Sequence, residues 1–280
     1  MKNVKLVATD LDGTFLRNDR TVSSANRRAL KQLGAQNVIR VAATGRNFRK
    51  VKEVIDDDVP FDYVVFSSGA GVFDQKKKEY IFKQNIGEES AQRLMEYLMH
   101  KDFNFFAFYP VPDNHQYYYY RGTCFCDEFE RYFAFSNCRT TELVPEKLPH
   151  TKLCQLLLFL KENNADFEKI KEQIEALSPE IRVIRASSPI TKGYIWLEVF
   201  HYSVSKGNGI REICRRSGIE QEQTMGVGND YNDFDLLEFT RHSFLTANSP
   251  EEIKGKFPLV ASNENDAFAE AVSCLLENGL

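Results

Sequence analysis

Long hydrophobic runs are missing from this 280-residue chain; no apolar stretch is long enough to cross a bilayer. The opening MKNVKLVATD passes directly from one strand-like run into a charged loop, so neither an anchor nor a leader is expected, and a cytoplasmic location is. Excess positive charge is missing too: the net charge is −4, which argues against general attraction to nucleic acid or to an anionic membrane. The six cysteines, at 124, 126, 138, 154, 214 and 274, lack a repeated pair spacing. Cys124 and Cys126 could begin a metal site, but no second pair completes one, so buried or idle thiols are expected. No internal repeat or low-complexity segment occurs, and the KKK at 76–78 reads as a solvated hairpin tip. What remains is an ordinary globular balance of 42% hydrophobic and 27% charged residues, with 22 Phe and 12 Tyr to fill a core. The length suits two domains, or one domain carrying an insertion.

The hydrophobic rhythm divides the chain into three blocks. VKLVAT (4–9), VIRVAAT (38–44) and DYVVFSSGAG (62–71) read as buried strands, separated by helices at 23–34 and 47–56. Strand, helix, strand, helix, strand implies parallel pairing with crossover helices, hence a doubly wound, mainly parallel α/β sheet. From residue 84 to 200 the order changes. Helices at 88–101, 126–135 and 165–177 alternate with strands at 104–110, 116–122, 154–162, 181–188 and 194–201, many of them adjacent in sequence. That order suits an antiparallel sheet covered by helices on one face, an α+β domain inserted into the first. From 201 to 280 the α/β rhythm returns, with a helix at 205–218, strands at 223–229, 242–248 and 257–262, and a last helix at 265–277. The expected core is therefore 1–83 with 201–280, and the insertion 84–200.

In VATDLDGTFL, residues 7–16, Asp10 and Asp12 stand two apart where an apolar strand gives way to a glycine turn. Two carboxylates that close hinder each other's ionisation, so a cation or a shared proton must offset the repulsion. Other polar elements also fall at strand ends, where ligands bind in open parallel sheets. Thr44 ends the second strand, Gly228-Asn229-Asp230 ends a late one, and Lys206 opens the helix of the returning block. A core built only for stability has no reason to gather acids, a hydroxyl, a lysine and a glycine turn on one edge.

Four segments carry a resemblance: Asp10-Leu11-Asp12-Gly13-Thr14, Ala43-Thr44-Gly45-Arg46, Val204-Ser205-Lys206-Gly207, and Gly228-Asn229-Asp230-Tyr231-Asn232-Asp233. In content and order they resemble the four motifs of the haloacid dehalogenase superfamily, in particular its Cof-type sugar-phosphate phosphatases with the larger, C2-type inserted cap. The resemblance spans nearly the whole chain. It implies a Rossmann-like core, a substrate-selecting cap and Mg²⁺-dependent hydrolysis of a small phosphorylated metabolite. Under it, Asp10 attacks phosphorus and becomes an aspartyl-phosphate, while Asp12 protonates the leaving group and later takes a proton from water. One acid must be ionised and the other protonated, so their environments must separate the two pKa values. Thr44 would bond a phosphoryl oxygen and Lys206 would neutralise phosphate charge. Leu11, Gly45, Arg46 and Asn232 are the phosphate- or substrate-binding candidates, Arg46 standing equally open to pairing with a surface acid. Metal candidates are Asp10, Asp12 through its backbone carbonyl, Asn229, Asp230 and Asp233.

Two departures stand out. The resemblance leads one to expect Asp directly after the glycine of the fourth motif, where Asn229 stands. Asn offers a carbonyl oxygen without charge, so weaker Mg²⁺ binding is expected rather than loss of the site, with Asp233 acting through a water and Asp230 as the competing direct ligand. Ser67-Ser68-Gly69 stands where such chains often carry Asn-Gly, and serine still hydrogen-bonds. In the insertion, 104–115 and 185–196, with Arg185 and Lys192, could touch substrate, while Glu198 and His201 read as structural. The run Tyr117–Tyr120 alternates, so one pair of rings is expected in the cap core and the other at the surface or in a substrate wall. A monomer or homodimer is expected, with no nucleic-acid or membrane partner. The competing readings are a phosphotransferase or mutase with the same acids, and a phosphometabolite sensor that binds without turnover.

Overall fold

The computed structural model describes residues 4–135 and 140–277; Cys138 lies outside them. The chain divides into two compact units, Met1–Phe82 with Ser205–Leu280, and Lys83–Val204. The second junction falls after residue 204 rather than after 200, because the last strand of the insertion stays paired to His201 and the turn after it bonds back to that residue.

The first unit opens with β1 (Leu6–Thr9), α1 (Ser24–Ala35), β2 (Ile39–Ala43), α2 (Phe48–Val51), β3 (Tyr63–Phe66), β4 (Gly71–Asp74) and β5 (Glu79–Lys83). Every residue of β1 is buried, as its unbroken apolar run requires. Ser23 caps α1 by accepting from the Asn26 N–H, and Asn26, Ala29, Leu30 and Leu33 form the buried stripe at helical spacing. The helix expected over 47–56 ends after one turn: beyond Val51 the chain runs into three aspartates, 56–58, and then Pro60. The segment read as one strand over 62–71 bends at Ser67–Gly69 and returns as β4, antiparallel to β3. The three lysines at 76–78 lie between β4 and β5, where a hairpin tip was expected.

The second unit contains α3 (Glu88–His100), β6 (Phe105–Phe108), β7 (Tyr117–Tyr120), α4 (Asp127–Phe135), β8 (Thr140–Glu142), β9 (Gln155–Lys161), α5 (Asn164–Glu175), β10 (Ile181–Ser187) and β11 (Tyr194–His201). Its six-stranded sheet has the order β10-β11-β9-β6-β7-β8 and is antiparallel except where β7 meets β8. Leu94, Met95 and Leu98 of α3 and Phe167 and Ile174 of α5 share one core with Phe105, Ala107, Leu156, Leu158 and Leu197. Helices were expected on one face alone, and here the structure corrects the sequence. Strand alternation sends Phe106 to the opposite face, where Phe129 of α4 stacks on it at 4.4 Å between ring centres and 11° between planes. Such a pair contributes about 0.5–1.5 kcal/mol beyond its area burial. Neither tyrosine pair is left as a bare wall. Tyr118 and Tyr120 pack on the α3/α5 core, while Tyr117 is buried against Phe106 and Phe108 and Tyr119 meets Phe133. Arg185 is committed within its own unit, to Asn164, to Glu162 at 3.6 Å and to the Phe167 ring. His201 bonds Ser203 through Nδ1 at 2.8 Å, a local turn contact.

The chain returns to the first unit with α6 (Lys206–Ser217), β12 (Thr224–Gly228), α7 (Phe234–Phe239), β13 (His242–Thr246), β14 (Leu259–Val260) and α8 (Ala267–Glu277). The eight-stranded sheet runs β14-β13-β12-β1-β2-β3-β4-β5, parallel from β14 to β3. Strand order reverses between β1 and β12, so the crevice at their carboxyl ends is the natural ligand position of this topology. Among the described residues no helix is long and apolar enough to cross a membrane. Cys154 and Cys214 are buried, and none of the five described cysteines forms a disulfide.

Candidate active site

Asp10 prolongs β1 by one ladder bond, its N–H donating to Val227 O at 2.9 Å, and its residue is only 4% exposed. The backbone then winds one tight turn in which Thr14, Phe15 and Leu16 all donate to Leu11 O. Gly13 sits at φ +73° within that turn, and a Cβ there would lie 2.7 Å from Asn229 Nδ2. The glycine of the first motif is therefore required twice, by backbone conformation and by the approach of the fourth motif.

Lys206 is the first residue of α6, whose N-cap Ser205 accepts from the Asn208 N–H at 3.1 Å. A Cβ on Gly207 would fall 2.1 Å from Asp235 O, so the glycine lets the first turn of α6 lie against α7. Lys206 Nζ donates to Asp10 Oδ1 at 2.7 Å and Asp233 Oδ1 at 2.5 Å, and lies 3.5 Å from Asn232 Oδ1. Asp233, fully buried, uses its other oxygen to accept from the N–H groups of Asn229 (2.8 Å) and Asp230 (3.0 Å). The Asp230 side chain accepts in return from the Asp233 backbone, so this pair closes its own turn. Asp233 thus fixes the fourth motif's backbone and the lysine together.

Asn229 is the residue that reaches Asp10 from this turn. One end of its amide lies 2.9 Å from Thr14 Oγ1, 2.8 Å from the Asp12 carbonyl oxygen and 3.3 Å from Asp10 Oδ2. With its nitrogen at that end the amide donates to all three. With its oxygen there, a carboxylate, a main-chain carbonyl and an amide oxygen converge, which is the donor chemistry of a hard divalent cation. Among the described residues no three His, Cys, Asp or Glu side chains form a metal-binding group. The set here differs by drawing on only one carboxylate side chain.

Thr44 is buried, its N–H bonded to Val65 O and its hydroxyl oxygen accepting from the Arg46 N–H at 3.1 Å, which leaves the hydroxyl proton to donate. Arg46, left open between substrate and a carboxylate, is found on Asp12: Nε and Nη2 each reach one carboxylate oxygen at 2.6 Å. The Asp12 side chain is 45% exposed, against 6% for Asp10. Gly45 is partly buried and Leu11 fully buried. Sequence reasoning underrated Ser67 and Ser68. Their N–H groups donate to Arg46 O and Thr44 O, and both residues hold positive φ, 48° and 53°, where Asn and Gly are the residue types at least cost. A run of small residues at a strand end was the available signal.

The electrostatics of the buried cluster run against the ionised Asp10 that the resemblance implies. Burial pushes the Asp10 carboxyl up, to about 8; Lys206 pulls it down, while Asp233 and Asp12 push it further up. Burial opposes the Lys206 charge, but Asp10 and Asp233 more than offset this and hold the ammonium above its ordinary range. Burial likewise opposes the Arg46 charge and the Asp12 fork more than offsets it. The folded state keeps a proton on Asp10 that the unfolded chain releases near its ordinary 3.8. This contribution to stability is present in full below that value and is lost as pH rises toward 8. In EDTA, thermal melts should therefore show stability falling between those limits by up to about 1.4 kcal/mol per pH unit. Asp10→Asn should flatten the slope; an unchanged slope in that variant would assign it to another group.

A family profile described as haloacid dehalogenase-like hydrolase matches residues 7–272. The 5-amino-6-(5-phospho-D-ribitylamino)uracil phosphatase YwtE of Bacillus subtilis (strain 168) is 23% identical, covering 98% of this chain and 98% of its own. Among solved structures, SMU.1108c from Streptococcus mutans UA159 superposes with a TM-score of 0.80 at 20% identity, over 98% of this chain and 99% of that one. The subclass IIB sugar phosphatase BT4131 does so with a TM-score of 0.77 at 20% identity, over 97% and 99%.

Proposed function

The chain belongs to the haloacid dehalogenase-like hydrolase family, and from that premise we propose that it is a phosphatase of small phosphorylated metabolites, with sugar or polyol phosphates the first class to test. The observation that carries this reading is the sealed Asp10 carboxylate, clamped by Lys206 at the switch point of the sheet and facing the Asn229 amide and Asp12 carbonyl. The activities named for the B. subtilis relative and for BT4131 support the substrate class.

In this proposal Asp10 attacks phosphorus as the carboxylate, the proton that burial favours on it going to solvent when a cation would bind there, while the phosphorus–oxygen bond to the leaving group breaks and Asp12 delivers the proton that makes that group an alcohol. Water then attacks the aspartyl-phosphate, giving its proton to Asp12 and releasing phosphate with Asp10 restored. Arg46 occupies both carboxylate oxygens of Asp12, so the proton-donating step needs that fork to open; the greater exposure of Asp12 allows it. Lys206 and the Thr44 hydroxyl supply positive charge and a donor for phosphoryl oxygens. Leu11, Gly45 and Asn232 stand beside them as the proposed remaining phosphate contacts. Asp10, the Asp12 carbonyl and Asn229 would hold Mg²⁺, which supplies positive charge against the nucleophile and the phosphate together. Asp230 and Asp233, whose carboxylates are engaged within the turn, act in this proposal as supports of Asn229. The Lys83–Val204 unit is the proposed cap that selects the substrate.

Phosphate release from a panel of sugar, polyol and nucleotide monophosphates, with Mg²⁺ or with EDTA, tests the reading. Metal-dependent release is expected, and a transfer product in place of free phosphate would favour a phosphotransferase. Tight binding of a phosphate analogue without turnover would favour a sensor. Asn229→Asp adds a charge to the proposed metal set and should lower the half-saturating Mg²⁺ concentration by about tenfold, or about 1.4 kcal/mol. An unchanged Mg²⁺ requirement would remove Asn229 from the set.

A further inference from the structure

Three asparagine amides close on the carbonyls of Gly13, Phe15 and Leu16 in the turn after Asp10. Asn248 Nδ2 donates to Gly13 O at 2.9 Å, Asn26 Nδ2 to Phe15 O at 2.9 Å, and Asn263 Nδ2 to Leu16 O at 3.0 Å. Each is itself anchored or adjoins an anchor: Asn248 Oδ1 accepts from the Asn263 N–H, and Asn26 Oδ1 from the Ala269 N–H. Thr246 Oγ1 also donates to Gly13 O, at 3.4 Å.

The three differ in burial, and burial separates their tasks. Asn26 is fully buried and Asn263 is 2% exposed, so each satisfies a carbonyl that water cannot reach. Asn248 is exposed. Water could satisfy Gly13 O in its place, so satisfaction alone does not explain a bond that spans 235 residues of sequence. What water cannot do is fix a peptide plane. Gly13 is the most permissive residue of the turn, and the peptide on its amino side carries the Asp12 carbonyl that faces Asn229.

We propose that Asn248 is a positioning residue: with Thr246 it holds Gly13 O and so fixes the Gly13–Thr14 peptide, which restrains the glycine and keeps the Asp12 carbonyl on its other side aimed at the metal position. This rests on the phosphatase reading for its purpose, and on the Gly13–Asn248–Asn263 chain of bonds for its mechanism. Outer partners that orient metal ligands typically change affinity by about 10–100-fold when removed.

The test is Mn²⁺ binding to the full chain by calorimetry, without substrate, alongside thermal melts and steady-state kinetics. Asn248→Ala should weaken Mn²⁺ binding about tenfold and raise the Mg²⁺ requirement equally, with Tm within about 2 °C of the parent. Asn248→Gln, which keeps an amide donor at an exposed position, should recover most of the affinity. Asn263→Ala, by orphaning Leu16 O, should lower Tm instead. Unchanged Mn²⁺ affinity in Asn248→Ala overturns the inference and leaves the phosphatase reading intact. A loss of affinity that only tracks a fall in Tm, without recovery in Asn248→Gln, overturns it as well. A parent chain that releases phosphate but binds no divalent cation overturns both the metal assignment and the inference. Failure of the phosphatase reading shows separately, as Mn²⁺ binding without phosphate release.

Discussion

Asp10→Asn should abolish phosphate release and leave the fold at least as stable as the parent. The amide nitrogen is no nucleophile, and no second carboxylate can take the position. Asp233 is spent on Lys206 and two backbone N–H groups, and Asp12 is held by Arg46. Loss of a covalent nucleophile of this kind costs about 10⁴-fold or more in kcat. The stability expectation follows from the same contacts. Asp10 carries the penalty of burial beside two other acids, whether as a charge or as a proton taken up on folding, and the neutral asparagine avoids it while Lys206 keeps Asp233 as its partner. Single-turnover phosphate release and urea unfolding near neutral pH check the two halves. Residual kcat within about 100-fold of the parent would move the nucleophile elsewhere. A large fall in stability would show that the Asp10–Lys206 attraction outweighs the cost of burial.

What the sequence made legible follows from how local each signal is. The acids, the glycine turn, Thr44 and Lys206 were readable as strand-end residues because an open parallel sheet gathers its strand ends at one edge. Lys206 and Asp10 are 196 positions apart, yet each is fixed by a local event, a helix start and a strand end, which topology then brings to 2.7 Å. The partner of Arg46 was not readable. A guanidinium binds phosphate and carboxylate alike, and only the geometry puts Asp12 in its fork. Nor could hydrophobic periodicity place α4 on the second face of the β6–β11 sheet, because aromatic rings on both sides of β6 fit one buried face or two. Periodicity does not give the left-handed backbone at Ser67 and Ser68, and the Asn248 contact joins the glycine turn to the end of a strand read 235 residues away.

Removing the lysine should be the most damaging single change to the fold. Lys206 is 1% exposed, and its ammonium is the cation that bonds both Asp10 and Asp233. Lys206→Met keeps the length of the stem and removes the ammonium with its charge and donors, so lost packing contributes little to the result. The variant leaves two buried carboxylates without their cation, a change that costs about 3–5 kcal/mol when one partner of a buried ion pair is removed. The cost should depend on pH in a set direction. Lys206 pulls the Asp10 carboxyl down, so without it Asp10 should keep its proton above the parent's value of about 8, and the destabilisation should grow as pH rises past that value. Turnover should fall by at least about 10²–10³-fold, since a preorganised positive group has been removed from the phosphoryl position. The double variant Asp10→Asn with Lys206→Met then separates the pair from its parts. If the lysine serves chiefly to hold Asp10, adding Asp10→Asn recovers much of the lost stability. If it serves chiefly Asp233 and the turn that presents Asn229, the double variant remains as unstable as the single one and the metal site is lost with it. Urea unfolding of the parent, both singles and the double at acid and at alkaline pH decides between them, and a Lys206→Met penalty below about 1 kcal/mol would overturn the buried-pair account altogether.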